Sequence, residues 1–90
     1  MGYGYPAAKA IARLVGDVSH PEVQLRLSSE NAWLRAGTLA GLREAQAPGI
    51  EKLLRQVLDE RQSALVRSEA AVGLNRIQAS RLADGRRALG

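Results

Sequence analysis

The chain has 90 residues, a net charge of +4 and no cysteine, which limits it to one small domain without disulfides or thiolate zinc sites. Hydrophobic residues make up 46% of it but aromatic residues only 3%, which favours closely packed helices over a β-sandwich. No apolar run reaches the length of a membrane span and the N-terminus lacks the features of a secretory signal, so we expect a cytoplasmic protein without a membrane segment.

The excess positive charge lies near the C-terminus rather than along the body of the chain. Residues 1–75 hold nine Lys/Arg and eight Asp/Glu, a net of +1. The remaining residues, 76–90, carry a net of +3 from four arginines and one acid: Arg76, Arg81, Arg86, Arg87 and Asp84. A nearly neutral body disfavours a basic groove for nucleic acid and leaves the tail as the segment that would contact phosphates.

Two short elements are predicted at the start of the chain. Apolar residues at helical spacing over residues 6–16 predict a first helix, with a proline at its start and a glycine at its end. Pro21 begins a second element, in which Val23, Leu25 and Leu27 alternate with polar residues. That alternation also fits a short strand, but a helix is favoured because nothing nearby supplies a partner strand.

Three further apolar stripes predict the remaining helices. The third helix follows cap candidates at residues 28–31 and ends at Pro48-Gly49. The fourth, over residues 50–59, has the clearest amphipathic pattern, and Ser63 is the cap candidate of the fifth. The predicted buried positions are Leu34, Thr38, Leu42 and Ala45, then Ile50, Leu53, Leu54, Val57 and Leu58, then Val66, Ala70, Leu74 and Ile77.

An internal repeat is the strongest signal in the sequence. When the chain is shifted by 32 residues, residues 31–47 fall on residues 63–79 without a gap, and six of the seventeen pairs are identical. Chance would give roughly one or two identities in a chain of this composition. The identical pairs are Ala32/Ala64, Arg35/Arg67, Gly41/Gly73, Leu42/Leu74, Gln46/Gln78 and Ala47/Ala79.

The second copy carries a recognisable motif: Leu53-Leu54, then Val57-Leu58-Asp59-Glu60, then Val66-Arg67 with Ala70-Ala71 and Leu74. It resembles the HEAT repeat, specifically the short bacterial type also found in phycobilisome lyases. The first copy keeps the second-helix half, but Ser28-Ser29 stands where the acidic turn is expected. The resemblance implies an all-α fold, a short α-solenoid of antiparallel helix pairs with about two and a half HEAT-like repeats over residues 1–80. Residues 81–90 would form a basic C-terminal cap or tail.

The resemblance also implies a ladder of arginines between repeats. Arg35 and Arg67 open second helices, where a cation gains nothing from the helix dipole, so each is expected to have an acidic or carbonyl partner in the neighbouring turn. Arg67 is expected to be substantially buried and to donate either to the turn that holds Asp59, its candidate partner, or to a group of the first repeat.

Solenoids expose one helix layer as a continuous binding surface, which predicts a non-catalytic protein-binding module or small scaffold. The candidate surface is formed by exposed positions of the second helices: Arg43, Glu44, Glu69, Asn75 and Arg76. The alternative is a nucleic-acid-binding accessory protein that uses the basic tail. A remoter alternative is a subunit of an enzyme complex, because relatives of this repeat occur with lyases. A helix-turn-helix DNA reader is disfavoured because residues 50–54 are too apolar to contact bases.

The sequence predicts no catalytic residue, cofactor or metal site. His20 is the only histidine, and its place before Pro21 is typical of a turn or cap residue rather than a ligand. No Gly-x-Ser-x-Gly motif occurs, and the glycines at residues 2–4 and 85 lack the lysine and hydroxyl of a P-loop. Trp33 aligns with Leu65, which favours a packing role over a binding one.

The N-terminal helix is too apolar for one face to stand in water, since Lys9 and Arg13 are its only charges. Its free face is expected to be covered either by the arm that carries Tyr3 and Tyr5 or by a second molecule. A homodimer through this helix is favoured, because two tyrosines offer little area against a whole helix face.

Overall fold

Helices account for all regular secondary structure within residues 3–89, the part of the chain that a computed structural model describes, with side chains described through Gly85. They are α1 (Tyr5–Val15), α2 (Pro21–Leu27), α3 (Ala32–Glu44), α4 (Ile50–Asp59) and α5 (Ala64–Leu89). The all-α class is therefore confirmed, and the segment after Pro21 is a helix and not a strand. Among these described residues, no helix is long and apolar enough to cross a membrane.

Side-chain caps set the starts of three helices. The Asn31 side chain accepts a hydrogen bond from the Trp33 N–H at 2.9 Å, and Ser63 Oγ accepts one from the Val66 N–H at 3.4 Å. These two caps occupy equivalent positions of the repeat, so α3 and α5 begin in the same register. His20 Nδ1 accepts from the Glu22 N–H at 3.1 Å, which confirms the predicted cap role of this histidine.

The two copies of the repeat end differently. After α3, Gln46 takes a left-handed conformation with φ 53°, and Pro48 follows two residues later. At the equivalent position of α5, Gln78 is helical, and the helix continues through Ser80 to Leu89. The basic segment 81–90 thus begins inside α5. The side chains of Arg86 and Arg87, on which the tail prediction also depends, lie outside the described residues.

α1 packs on α3 through small residues. Ala8 and Ala12 are buried on α1, and they face Gly37 and Gly41 of α3. Gly37 lies against the backbone of Tyr5, and Gly41 lies against the backbone one helical turn further along α1. The two helices therefore run in the same direction, at a separation that only glycine permits.

α3 is the centre of the fold. All seven residues from 36 to 42 are buried, since α3 packs against each of the other four helices. α4 runs antiparallel to α5, with Leu54 against Gly73 and Glu51 paired with Arg81. The core joins residues of all five helices and the turn after α3: Ala12, Val23, Ala36, Leu39, Leu42, Ala47, Ile50, Leu54, Val57, Val66 and Ala70.

The predicted apolar stripes are buried to different degrees. Leu54 and Val66 are each 1% exposed, whereas Leu74 and Ile77 are only half-buried on α5. Leu25 of α2 is 66% exposed, although it belongs to the predicted pattern. Large apolar residues at the two ends of the helix array are thus left partly in solvent.

Candidate functional site

A cleft of about 610 Å³ opens where the end of α3, the start of α4 and the C-terminal half of α5 meet. We call it the α3–α5 cleft. Two apolar side chains, Ile50 and Ile77, contribute to its walls. Six charged side chains also line it, three of each sign: Arg43, Arg76, Arg81, Glu44, Glu51 and Asp84.

Three of the five residues predicted to bind a partner meet in this cleft: Arg43, Glu44 and Arg76. The other two do not line it. Glu69 accepts a hydrogen bond from the Tyr5 hydroxyl at 3.3 Å, and Asn75 is exposed elsewhere on α5. The predicted surface is therefore brought together only in part.

The acidic side chains of the cleft are engaged by cations of the chain itself. Glu44 lies 3.1 Å from Lys9 Nζ and 3.9 Å from Arg13 Nη1, both on α1. The hydrogen bond from Lys9 is the main reason that the pKa of Glu44 is lowered from its ordinary value. Glu51 pairs with Arg55 at 3.1 Å and also with Arg81.

Two of the cleft's arginines are not engaged in this way. Among the described residues, no ion pair includes Arg43 or Arg76. The Nε of Arg43 is buried and has no hydrogen-bond acceptor, and the Arg43 stem packs over Gly73, where a Cβ would meet its Cδ at 3.1 Å. Arg76 is exposed at the rim. Arg43 and Arg76 therefore line the cleft without an ion pair to any described residue.

Of the two arginines predicted to form a ladder, only Arg35 has a partner of the expected kind, and that partner lies in the turn before its own helix. Arg35 Nη1 donates to the carbonyl oxygen of Ser29 at 2.5 Å, which confirms a carbonyl partner in the preceding turn. The prediction for Arg67 is wrong, because both Arg67 and Asp59 are exposed and no ion pair joins them within the described residues. The residue after α4, Glu60, has an extended backbone conformation.

The tyrosine arm does not cover α1. Tyr3 is 83% exposed, whereas Tyr5 packs edge-on against Trp33, with ring centroids 6.3 Å apart. This contact confirms a packing role for Trp33. The arm is therefore excluded as the cover of the apolar face of α1.

The uncovered face of α1 borders a second cleft, of about 460 Å³, between α1, α2 and the start of α3. We call it the N-terminal groove. Its large apolar side chains are Ile11, Leu25 and Leu34. Leu14, also on α1, is 84% exposed. Apolar side chains at this end of the molecule thus face solvent.

Sequence reasoning missed the contribution of Glu51 and Arg81 to the α3–α5 cleft. From the sequence, Arg81 belongs to the predicted tail, and Glu51 is not among the candidate site residues. The spacing of Ile77, Arg81 and Asp84 was the available signal, because residues four and three apart share one face if the helix continues past Ser80.

Comparison of the chain with protein-family profiles, curated proteins and solved structures found no match in any of the three. The resemblance to HEAT repeats therefore stays a prediction from the sequence. Among the described residues, no group of three histidine or acidic side chains is placed to hold a metal ion.

Proposed function

We propose that the protein is a non-catalytic protein-binding module or small scaffold that uses the α3–α5 cleft. The observation that carries the proposal is the meeting of Arg43, Glu44 and Arg76 around a cleft that Ile50 and Ile77 also line. An apolar centre with a charged rim is the usual composition of a protein interface, and arginine is enriched among the residues that dominate binding energy.

The helix contacts support a short solenoid as the architecture behind this surface. The pairs α2–α3 and α4–α5 would be two repeats, and α1 the second helix of an incomplete one. Three features favour this assignment: α1 and α3 run in the same direction, α4 runs antiparallel to α5, and α3 and α5 begin at equivalent positions. A HEAT-like stack of two and a half repeats would have this arrangement.

The electrostatics of the cleft favour binding over catalysis. A general acid or base works best when its pKa lies near the operating pH. The pKa of Glu44 is shifted the other way, downward, because Lys9 donates to its carboxylate. Glu51 is held by two arginines. We therefore propose that the protein is not an enzyme, and that a partner protein in the cytoplasm is its target.

Site-specific photo-cross-linking tests the proposal. Benzoylphenylalanine is placed at Ser80, which lines the cleft, and in a matched variant at Ser68, which is exposed on α5 outside it. We expect a protein adduct from the native cell at Ser80 only, and its loss when Arg76→Glu is added. Adducts of equal yield at both positions, or an adduct that nuclease removes, would contradict the proposal.

Nucleic acid is the alternative ligand, because the C-terminal tail is basic. Phosphate binding weakens steeply with salt, so an electrophoretic shift assay at rising salt separates it from peptide binding. A DNA or RNA complex that forms at low salt and is insensitive to Arg76→Glu would favour the tail over the cleft.

The N-terminal groove supports a second proposal, a homodimer through α1. A two-fold partner would bury the same face of Ile11, Leu14 and Leu25 twice, which removes the largest exposed apolar groups of this end from water. The exposed position of Tyr3 leaves that face open to a second copy.

A further inference from the structure

The formal charges of the α3–α5 cleft balance, but the charges available to a ligand do not. Glu44 is paired with Lys9 and lies 3.9 Å from Arg13, and both cations lie outside the cleft on α1. Glu51 is shared between Arg55 and Arg81. Asp84 is not free either. What remains to attract a ligand is the positive charge of Arg43 and Arg76 on facing helices.

Arg43 is held in place before any ligand arrives. Its stem packs over Gly73, the position where any side chain would crowd both Arg43 and Leu54. Its buried Nε has no acceptor, which leaves an unsatisfied donor in the free protein. A ligand oxygen in the cleft would meet the terminal nitrogens of this guanidinium, and a carboxylate is the acceptor that matches its planar geometry.

We infer that the α3–α5 cleft binds an acidic segment of a partner protein, with a carboxylate between Arg43 and Arg76 and an apolar side chain on Ile77. The inference rests on the proposed function and adds the chemistry of the partner to it. The start of α4 supports it, because α4 begins at the cleft and its N-cap, Gly49, provides no side-chain acceptor.

The rim of the cleft selects against a polyanion such as nucleic acid. Glu44, Glu51 and Asp84 line the cleft together with Arg43 and Arg76, so a chain of closely spaced phosphates would come close to these carboxylates although each already has a partner. A peptide avoids this repulsion because its acidic side chain is a single charge flanked by neutral or apolar groups. Isolated carboxylates fit the cleft, and continuous negative charge does not.

Binding of small probes to the full chain tests the inference. The probes are a fluorescein-labelled peptide of glutamate, leucine and glycine, the same peptide with lysine in place of glutamate, and single-stranded DNA. Fluorescence anisotropy gives the affinities, and NMR of the arginine Nε–Hε signals shows which arginines respond. We expect the glutamate peptide alone to bind and to shift the Arg43 and Arg76 signals.

Two variants of exposed arginines on the same helix make the comparison. Arg76→Gln should weaken the glutamate peptide about tenfold, the size of one lost hydrogen bond to a charged group. Arg67→Gln, the matched control outside the cleft, should leave the affinity unchanged. Because Arg76 is exposed, its loss should not unfold the chain, and the NMR spectrum checks this directly.

The other outcomes separate the inference from the proposed function. Binding of the lysine peptide in the cleft would overturn the inference and leave the protein-binding function standing. Binding of DNA alone at the Arg76 signal would overturn both. An equal loss for Arg67→Gln would mean unspecific attraction and would overturn the inference, as would the absence of binding by every probe. In that last event the cross-linking at Ser80 still decides the function.

Discussion

Gly41 of α3 lies directly against the backbone of Lys9 on α1. A Cβ at Gly41 would overlap the Lys9 carbonyl oxygen and would come within 2.8 Å of the Cβ of Ala12. One helical turn earlier, a Cβ at Gly37 would stand 2.5 Å from the Tyr5 carbonyl oxygen. The backbone of α1 therefore packs directly on these two glycines. The Lys9–Glu44 ion pair lies at one end of this contact.

Gly41→Ala should lower the free energy of unfolding by about 1–3 kcal/mol, because the added carbon meets backbone that cannot yield without moving α1. Gly85→Ala is the matched control, since it is a helical glycine with nothing near its missing Cβ. There the better helix propensity of alanine should stabilise the chain by up to about 1 kcal/mol. Urea melts of both variants measure these changes. Equal effects of the same sign at both positions would contradict the close packing of α1 on Gly41.

The two repeat-equivalent arginines should respond differently to the same substitution. Arg35 donates to the Ser29 carbonyl, so Arg35→Lys should lower the free energy of unfolding by about 1 kcal/mol. The reason is that a lysine ammonium cannot reproduce the planar geometry of the guanidinium. Arg67 is exposed, and Arg67→Lys should change stability by less than about 0.5 kcal/mol. Chemical denaturation measures both. A larger loss at Arg67 than at Arg35 would contradict the assignment of the ladder to one repeat.

Ile11→Glu should convert a dimer into a monomer. The substitution places a carboxylate in the N-terminal groove, where a two-fold contact would bury it twice without a partner. Light scattering of the unmodified chain should give about twice its mass of 9.7 kDa. Leu82→Glu, on an apolar residue of α5 that is 65% exposed, is the control and should leave the mass unchanged. A monomeric parent chain at high concentration would rule out the dimer.

The Tyr5 hydroxyl should make the fold sensitive to alkali. Burial raises the pKa of Tyr5, and the nearby Glu69 carboxylate raises it further. The folded state therefore keeps the neutral phenol, and this contribution to stability is fully present below the ordinary tyrosine pKa of about 10. It is lost as the pH rises through the raised value. The unmodified chain should thus lose stability more steeply than Tyr5→Phe as the pH rises above about 10. The same dependence of the unfolding free energy on pH in both chains would disprove this role of Tyr5.

The sequence was sufficient for the helices and their starting register. Asn31 and Ser63 cap α3 and α5 at equivalent positions, and His20 caps α2. These contacts join residues two or three positions apart, so the local pattern determines them whatever the rest of the chain does. The break after α3 is also local, since Pro48 follows Gln46, while Ser80 lets α5 continue.

Only the tertiary structure decided which copies of a residue are buried and which meet in a site. Arg35 and Arg67 occupy the same place in the repeat, yet α3 packs against four helices and α5 against two. In the α3–α5 cleft, Glu51 at the start of α4 pairs with Arg81 of α5, although the two residues are thirty positions apart. Residue spacing along one helix does not predict such contacts. Burial depends on which surfaces the other helices cover, and packing between helices determines that coverage.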